Sequence, residues 1–300
     1  MKVILLKELK GKGGEGDVID VAPGFANNYL LTQGYAILAT KGNLKQLEQR
    51  KHNIAKREET RIANAEALKA KLFHDTLART ATNLDEGNAP RTNNIRLAAK
   101  AINGTILNPG DEFSYNGTVG ERTAARGYQE AHAYSGGKII DEFGGGVCQP
   151  SSTLYMAVLR ADLKVTERHN HSFTVSYTPL GEDATVDYGN LDFRFVNNTA
   201  YPVKILAEQT DGQMIMTIVG TKTSDKTVTT RTEVLETYKP ETVIKTDSSM
   251  EAGDSRVETS GITGYSTKTY KQITENGKTT EVLANSSTYS KRDEVVYVGE

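Results

Sequence analysis

One cysteine, Cys148, follows the run Gly144-Gly145-Gly146-Val147 and stands just before a helix expected over Ser151–Asp162. A thiol at a helix N-terminus meets the positive end of the helix dipole and free backbone amides, which lower its pKa and stabilise an oxyanion. Downstream, Glu167-Arg168-His169-Asn170-His171-Ser172 supplies imidazoles, and Asp183, Asp187 and Tyr188 follow. Cys148, His171, Arg168 and Asp183 form the candidate catalytic set, and a Cys/His/acid arrangement of this kind performs acyl transfer. The same residues have plainer readings. A lone cysteine in a glycine-rich turn also packs as a small apolar residue. His169 and His171 alternate on an expected strand and so face one side, as part of a site or of a polar surface. A metal site of two His and one acid has no supporting spacing.

A second constellation lies at the start of the chain. Lys7, Lys10 and Lys12 flank a glycine-rich loop, Lys10-Gly11-Lys12-Gly13-Gly14-Glu15-Gly16. Glycine lets a backbone approach closely and lysine neutralises phosphate, so the loop suits nucleic acid; alone, it also reads as a loose hairpin loop.

The elements that must position these residues follow from patterning. Val3–Leu6 and Val18–Val21 predict a hairpin around the glycine loop, Pro23–Leu31 a short helix, and Ile37–Ala39 a third strand. Asn43 is placed to cap a long helix reaching Leu72, rich in Leu, Gln, Glu, Lys, Arg and Ala. About 30 residues at 1.5 Å rise make a rod of roughly 45 Å. Its stripe of Leu44, Leu47, Ile54, Ile62 and Leu68 is thin, which suits a solvated spacer. Beyond it come an amphipathic helix over Asn93–Ile102 and a strand over Glu112–Tyr115. Further strands are expected at Phe173–Tyr177, Leu191–Val196, Val203–Ala207 and Met214–Val219. Residues 221–233 are polar and read as a linker, and Asn276-Gly277 between two alternating segments predicts a type I′ hairpin.

Composition narrows the function classes. The 300 residues hold 36 Lys+Arg and 38 Asp+Glu, a net charge of -2, so no global charge argues for nucleic acid. The balance is uneven: residues 1–72 carry 13 basic and 8 acidic side chains, a net of +5, which leaves -7 for the rest. A basic head on an acidic body suggests modules with different partners. A single cysteine excludes an internal disulfide and any multi-cysteine metal site. No apolar run is long enough to span a membrane, and the N-terminal apolar stretch is too short for a signal peptide; the chain as written is expected in the cytoplasm. Tyr (14) is twice Phe (7), Trp is absent, and Thr and Gly are abundant late in the chain, which leans towards exposed β structure there.

Gly13, Gly16, Val21, Gly24-Phe25, Asn28-Tyr29-Leu30, Gly34, Ala36 and Thr40 fall at the spacing of the N-terminal signature of bacterial large-subunit ribosomal protein nine. The likeness covers residues 1–72, connecting helix included, and that family's C-terminal RNA-binding domain is replaced. The resemblance implies binding to large-subunit ribosomal RNA. Lys7, Lys10, Lys12, Gly13, Gly16, Phe25, Asn27, Asn28 and Tyr29 would make phosphate, sugar and stacking contacts. Phe25, Tyr29 and Leu30 also read as core.

A different likeness covers about residues 77–210. Asn94–Ala99, Ile102–Gly104, Pro109–Ser114, Gly120–Thr123, Gly127-Tyr128, Gly144–Tyr155, Glu167–Ser172 and Asp183–Val186 resemble the VanW-like family. Cys148, Arg168 and His171 fall in its hallmark motifs, His169 at a looser position, and Pro150 departs from the usual residue. The resemblance implies a cell-wall context and no particular reaction; an enzyme here would use Cys148 for acyl transfer on peptidoglycan. Residues 234–300, with Gly253, Gly261, Gly264, Gly277 and Gly299, resemble the five-glycine domain, an extended β module attached to envelope proteins. Exposed Tyr265, Tyr270 and Tyr289 would stack on sugars or pair across strands.

The expected architecture is therefore α+β and multidomain. It comprises a three-stranded sheet with a helix (1–40), a solvent-exposed connecting helix (41–72), an α+β VanW-like domain (73–220), a linker (221–233) and an extended β module (234–300). The expected partners are large-subunit ribosomal RNA and cell-wall peptidoglycan or sugars, with no DNA, cofactor or metal. These likenesses point to different compartments, so the chain reads as a chimera.

Overall fold

The computed structural model describes residues 1–135, 138–210 and 212–299; the side chains of 50, 53, 54, 58, 69, 70, 133–135 and 138–140 lie outside the described residues, Ile54 of the expected stripe among them. The chain divides into two compact units, Met1–Ala70 and Lys71–Glu300.

In the first unit, β1 (Lys2–Leu5) is the centre of an antiparallel sheet between β2 (Val18–Asp20) and β3 (Ala36–Leu38). Helix α1 (Pro23–Phe25) opens with proline, whose missing N–H costs nothing in a first turn, and continues as a wider π-type turn over Ala26–Leu31. Val3, Leu5, Ala26, Leu30 and Ala36 close a small core between sheet and helix. Leu30 is thus a core residue. Helix α2 (Lys41–Leu72) is capped by Thr40, whose Oγ1 accepts from the Asn43 amide at 3.2 Å. The expected cap, Asn43, instead donates its side-chain amide to the Leu38 carbonyl at 2.8 Å. Leu47 is buried at one end of the stripe, while Leu44, Ile62 and Leu68 are exposed, as a thin stripe requires.

The second unit is mixed α+β. Strand β4 (Asp75–Asn83) and helix α3 (Ala89–Ile102) are followed by the short β5 (Ile106–Leu107) and β6 (Glu112–Ser114), helix α4 (Tyr115–Val119) and the ribbon β7 (Glu130–Ser135) and β8 (Lys138–Phe143). Helix α5 (Cys148–Arg160) leads to β9 (Lys164–Glu167), β10 (Arg194–Val196), β11 (Val203–Thr210) and β12 (Gln213–Gly220). Strands β4, β12, β11 and β5 form one antiparallel sheet against which α3 and α5 pack, and β6, β10 and β9 form another. Residues 173–177 carry no strand, so the expected one is absent; Tyr177 is instead turned onto His171.

Helix α5 is buried from Gln149 to Leu159, although its first turns are polar. Such burial calls for partners, which all of these polar side chains but Ser151 Oγ find. Thr80 Oγ1 donates to the Thr153 carbonyl and Thr82 Oγ1 meets Thr153 Oγ1, both at 2.8 Å, while Ser152 Oγ donates to the Cys148 carbonyl at 2.8 Å. The helix begins at Cys148, earlier than the sequence suggests, and Pro150 sits in its first turn where no intrahelical N–H is lost.

The C-terminal part is built from β13 (Thr227–Tyr238), β14 (Thr242–Asp247), β15 (Ser255–Thr259), β16 (Gly264–Glu275), β17 (Lys278–Tyr289) and β18 (Glu294–Gly299). Their sheet orders are β13-β16-β17 and β14-β18-β15. Asn276 (φ 50°) and Gly277 (φ 72°) make the tight hairpin between β16 and β17, as their types require. The expected linker over 221–233 is corrected: from Thr227 onward it is strand, paired with β16. Its alternating inner face carries Thr230 and Thr232, whose hydroxyls bond Glu182 Oε1 at 2.5 Å and the Leu180 carbonyl at 2.9 Å. A polar inner face hides a strand from hydropathy. No described helix is long and apolar enough to cross a membrane.

Candidate active site

Cys148 is held at the start of α5 by a turn in which every glycine is used. A Cβ on Gly145 would lie 2.2 Å from the Ala131 carbonyl oxygen, so only glycine passes this close to β7. Asn94, buried in α3, holds the turn from the other side: its amide donates to the Gln129 carbonyl at 2.8 Å and to that of Gly145 at 3.1 Å. Tyr115 OH donates to the Val147 carbonyl at 2.7 Å, and Arg91 Nη2 donates to Gln149 Oε1 at 2.7 Å.

The segment 183–186 lies alongside α5 because Ser152 Oγ accepts from the Ala184 amide at 3.0 Å. That contact sets Thr185 Oγ1 and the Val186 amide each 3.5 Å from Cys148 Sγ. It also brings Asp183 to His171, whose backbone N–H and Nδ1 each lie 2.7 Å from Asp183 Oδ2. The imidazole lies near enough to the Cys148 thiol for each to shift the other's protonation. Tyr177 OH stands 3.4 Å from His171 Nε2, with its ring edge-on to the imidazole. On the carboxylate's far oxygen, Arg168 Nη2 donates to Oδ1 at 2.9 Å and Tyr289 OH donates to the same atom at 2.5 Å. Arg168 also spans the Asp183 carbonyl at 2.6 Å and lies over the Tyr155 ring.

Burial opposes every charge in this cluster, and pairing decides the outcome. For Cys148, burial pushes the thiol up, but the His171 hydrogen bond and charge, with Thr185 and Val186, bring it below the ordinary thiol value. For His171, burial pulls the imidazole down, but the bonds to Asp183 and Cys148 and their charges raise it to about 9. For Asp183, burial pushes up, and the bonds and charges of His171 and Arg168 hold the carboxyl below its usual range. The three shifts share one physical sense: each group's charged form is favoured by its neighbours against the cost of burial.

All four expected catalytic residues meet here. The two histidines part company: His171 is largely covered against Asp183, whereas His169 pairs with Glu167 at 3.1 Å and its side chain is 41% exposed, so they do not share a face. Asp187 and Tyr188 line a cleft of about 230 Å³ that opens over Cys148, together with Arg122, Glu142 and the glycine turn. Arg122 presents two buried nitrogens, Nε and Nη2, without hydrogen-bond partners, its guanidinium lying over the Tyr115 and Tyr188 rings. Among the described residues no group of three or more His, Cys, Asp or Glu converges as a metal site. Sequence reasoning missed Asn94, Gln149, Thr185 and Tyr177 as members of the site. It also expected Tyr289 on the surface, whereas Tyr289 is 1% exposed and reaches the site acid. Tyr289 faces Tyr265 across β16 and β17, as cross-strand pairing anticipated, but nothing local signals its hydroxyl's partner.

In the first unit, the glycine loop is an ordered turn: Leu9 N–H bonds the Gly13 carbonyl at 2.8 Å and Gly14 N–H bonds Asp17 Oδ2 at 2.8 Å. Lys7, Lys10, Lys12, Asn27 and Asn28 are exposed, while Gly16 is buried within the turn. Phe25 and Tyr29, 40% and 42% exposed, are not core residues. They stack at 5.5 Å, Tyr29 stacks on Tyr35 at 5.5 Å, and Lys7 Nζ lies over the Tyr35 ring. Tyr35 was not among the expected contacts.

Family comparisons agree with this division. Residues 1–47 match the N-terminal domain of ribosomal protein L9, residues 90–219 match VanW like protein, and residues 226–300 match the G5 domain. The chain is a fusion of three domain types. Large ribosomal subunit protein bL9 of Thermus thermophilus is 54% identical over 77 residues, 26% of this chain and 52% of that protein. Uncharacterized protein YoaR of Bacillus subtilis is 41% identical over 151 residues, half of each chain. The chain thus spans about half the length of these curated relatives. Among solved structures, the HP0197-G5 crystal structure aligns with 25% of this chain and all of its own, at 21% identity and TM-score 0.17.

Proposed function

We propose that residues 71–300 form a thiol-dependent acyl-transfer enzyme acting on cell-wall peptide. The single observation that supports it is the Cys148–His171–Asp183 line, in which the thiol stands at a helix N-terminus beneath an open cleft. In the reaction, Sγ attacks a substrate carbonyl carbon and an S–C bond forms. The carbonyl oxygen takes the negative charge near the α5 N-terminus. The C–N bond then breaks and the leaving amine takes the proton from His171. An incoming amine or water attacks the thioester, gives its proton to His171 and releases the thiolate. Peptidoglycan peptide as substrate class rests on the likeness to VanW like protein and to the G5 domain. The test is mass-spectrometric detection of an acylated Cys148 after incubation with peptidoglycan stem peptides. No adduct with wild-type chain, or the same adduct and turnover with Cys148→Ala, refutes it.

A second activity is favoured by a separate observation, the exposed Phe25 and Tyr29 rings stacked on the half-buried Tyr35 beside Lys7. Stacked aromatics and lysines suit unpaired bases and phosphates, and the bL9 likeness supplies the target, large-subunit ribosomal RNA. The first module points to ribosome association and the others to the envelope. Co-sedimentation with bacterial large subunits at low and moderate salt tests this reading; free protein at both salts overturns it.

A further inference from the structure

The deepest contact between the C-terminal β module and the rest of the second unit falls on the site acid. Alternate residues of β17 face one side, and at its end these are Asn285, Ser287 and Tyr289. Each reaches the thiol centre's supports. Asn285 Nδ2 donates to Tyr155 OH at 2.7 Å and to the Gly181 carbonyl at 2.9 Å. Ser287 Oγ accepts from Arg168 Nη1 at 2.7 Å. Tyr289 OH accepts from the Gly181 amide at 2.7 Å and donates to Asp183 Oδ1 at 2.5 Å. The loop that carries His171 is tied to the same edge: Asn170 Nδ2 donates to the Thr288 carbonyl at 2.8 Å, and Ser290 N–H donates to that of Ser172 at 2.7 Å.

The two oxygens of Asp183 divide the work. Oδ2 receives both His171 donors, and Oδ1 receives Arg168 and Tyr289. The rotation of the carboxylate, and through it the orientation of the imidazole, depends on what holds Oδ1. One of those two donors belongs to the β module, and the other, Arg168, is steadied by it through Ser287. A hydrogen bond from a neutral hydroxyl to a carboxylate is of the stronger, charge-assisted kind.

We infer that the C-terminal β module completes the thiol centre rather than serving as a separate adhesion domain, with Tyr289 as a positioning residue that acts through Asp183. The inference rests on the acyl-transfer reading. Without the Tyr289 hydroxyl, Asp183 binds a proton more readily and turns more freely on Oδ1. His171 then holds its proton less firmly, and the thiolate is lost at a higher pH.

The experiment is the pH profile of Cys148 alkylation by iodoacetamide, measured on the full chain as wild type, Tyr289→Phe and Tyr265→Phe. Phenylalanine keeps the ring and deletes only the hydroxyl. The expected result is an acid limb moved up by about one pH unit in Tyr289→Phe, from the loss of a hydrogen bond to a charged group. Tyr265→Phe, opposite it in the sheet, leaves the limb in place. A Tyr289→Phe profile that overlays wild type, even with a lowered melting temperature, overturns the inference and leaves the thiol reading intact. A wild-type thiol no more reactive near neutral pH than an ordinary cysteine overturns both. Should Tyr289→Phe fail to fold, Ser287→Ala decides by the same measure: a smaller shift in the same direction supports the inference, and an unmoved limb overturns it.

Discussion

Replacing His171 by glutamine isolates the interaction on which the thiol chemistry stands. Burial pushes the Cys148 thiol up; His171 above all, with smaller help from Thr185 and the Val186 backbone, brings it below its ordinary value. His171→Gln retains a hydrogen-bonding side chain and removes the positive charge. A hydrogen bond to a charged group contributes about 1.5–3 kcal/mol, and each 1.4 kcal/mol is tenfold, so the thiolate population near pH 7 should fall roughly 10- to 100-fold. The assay is iodoacetamide labelling followed by intact mass, and with one cysteine in the chain every added mass reports Cys148. The wild-type plateau should begin below the ordinary thiol range, whereas the variant should rise only above it. The imidazolium imposes a second limit. His171 is raised from 6.5 to about 9, so the stability its charge contributes is full below about 6.5 and is lost as pH rises through about 9. Turnover, which needs that proton for the leaving amine, should decline over the same upper range. A variant that alkylates at the wild-type rate at pH 7 would falsify the ion-pair argument.

Three other outcomes follow from the structure. The double change Lys10→Ala with Lys12→Ala should weaken ribosomal RNA binding and reduce the slope of log affinity against log salt by about 1.5, read from a salt titration; an unchanged slope means the loop does not touch phosphate. Tyr29→Ala removes an exposed stacked ring and should cost about 1–3 kcal/mol in RNA affinity with the melting temperature unmoved, measured by filter binding and calorimetry. Gly181→Ala should lower unfolding free energy by about 2–4 kcal/mol in a denaturant melt, because the position has φ +77° and a Cβ there would lie 1.9 Å from Thr269 Oγ1; a neutral result would show that β16 yields easily.

Short-range chemistry was readable from the chain. The β16–β17 hairpin follows from Asn276-Gly277, and the first unit's strands follow from short apolar runs on either side of a glycine loop, because both are decided by neighbours in sequence. Cys148, Arg168, His171 and Asp183 stood out because reactive residue types cluster within short segments. What escaped was set by distant partners. Residues 173–177 alternate like a strand, yet Tyr177 is drawn to His171 and no described strand pairs with them. Residues 227–233 look like linker because their inward positions are threonines that bond polar groups of the 180–182 turn. Thr40 took the capping role from Asn43, three residues further on, because its hydroxyl reaches the Asn43 amide in the first turn. The burial of Tyr289 at the end of β17 could not be foreseen, since the tyrosines of the neighbouring β16, Tyr265 and Tyr270, stay nearer the surface.

Asp183 and Tyr289 lie 106 positions apart, and this separation has a consequence for synthesis. A bacterial ribosome moving at about 5–20 residues per second needs roughly 5–20 seconds to travel from one to the other. During that interval Cys148 and His171 already exist, but the carboxylate that steadies them lacks its last donor. On the reading proposed above, the nascent chain carries Cys148 and His171 before Asp183 has all its donors, and a product truncated within β17 would keep Arg168 on Asp183 and lack Tyr289. The order of elements along the chain thus makes Tyr289 the last of these partners to be synthesised.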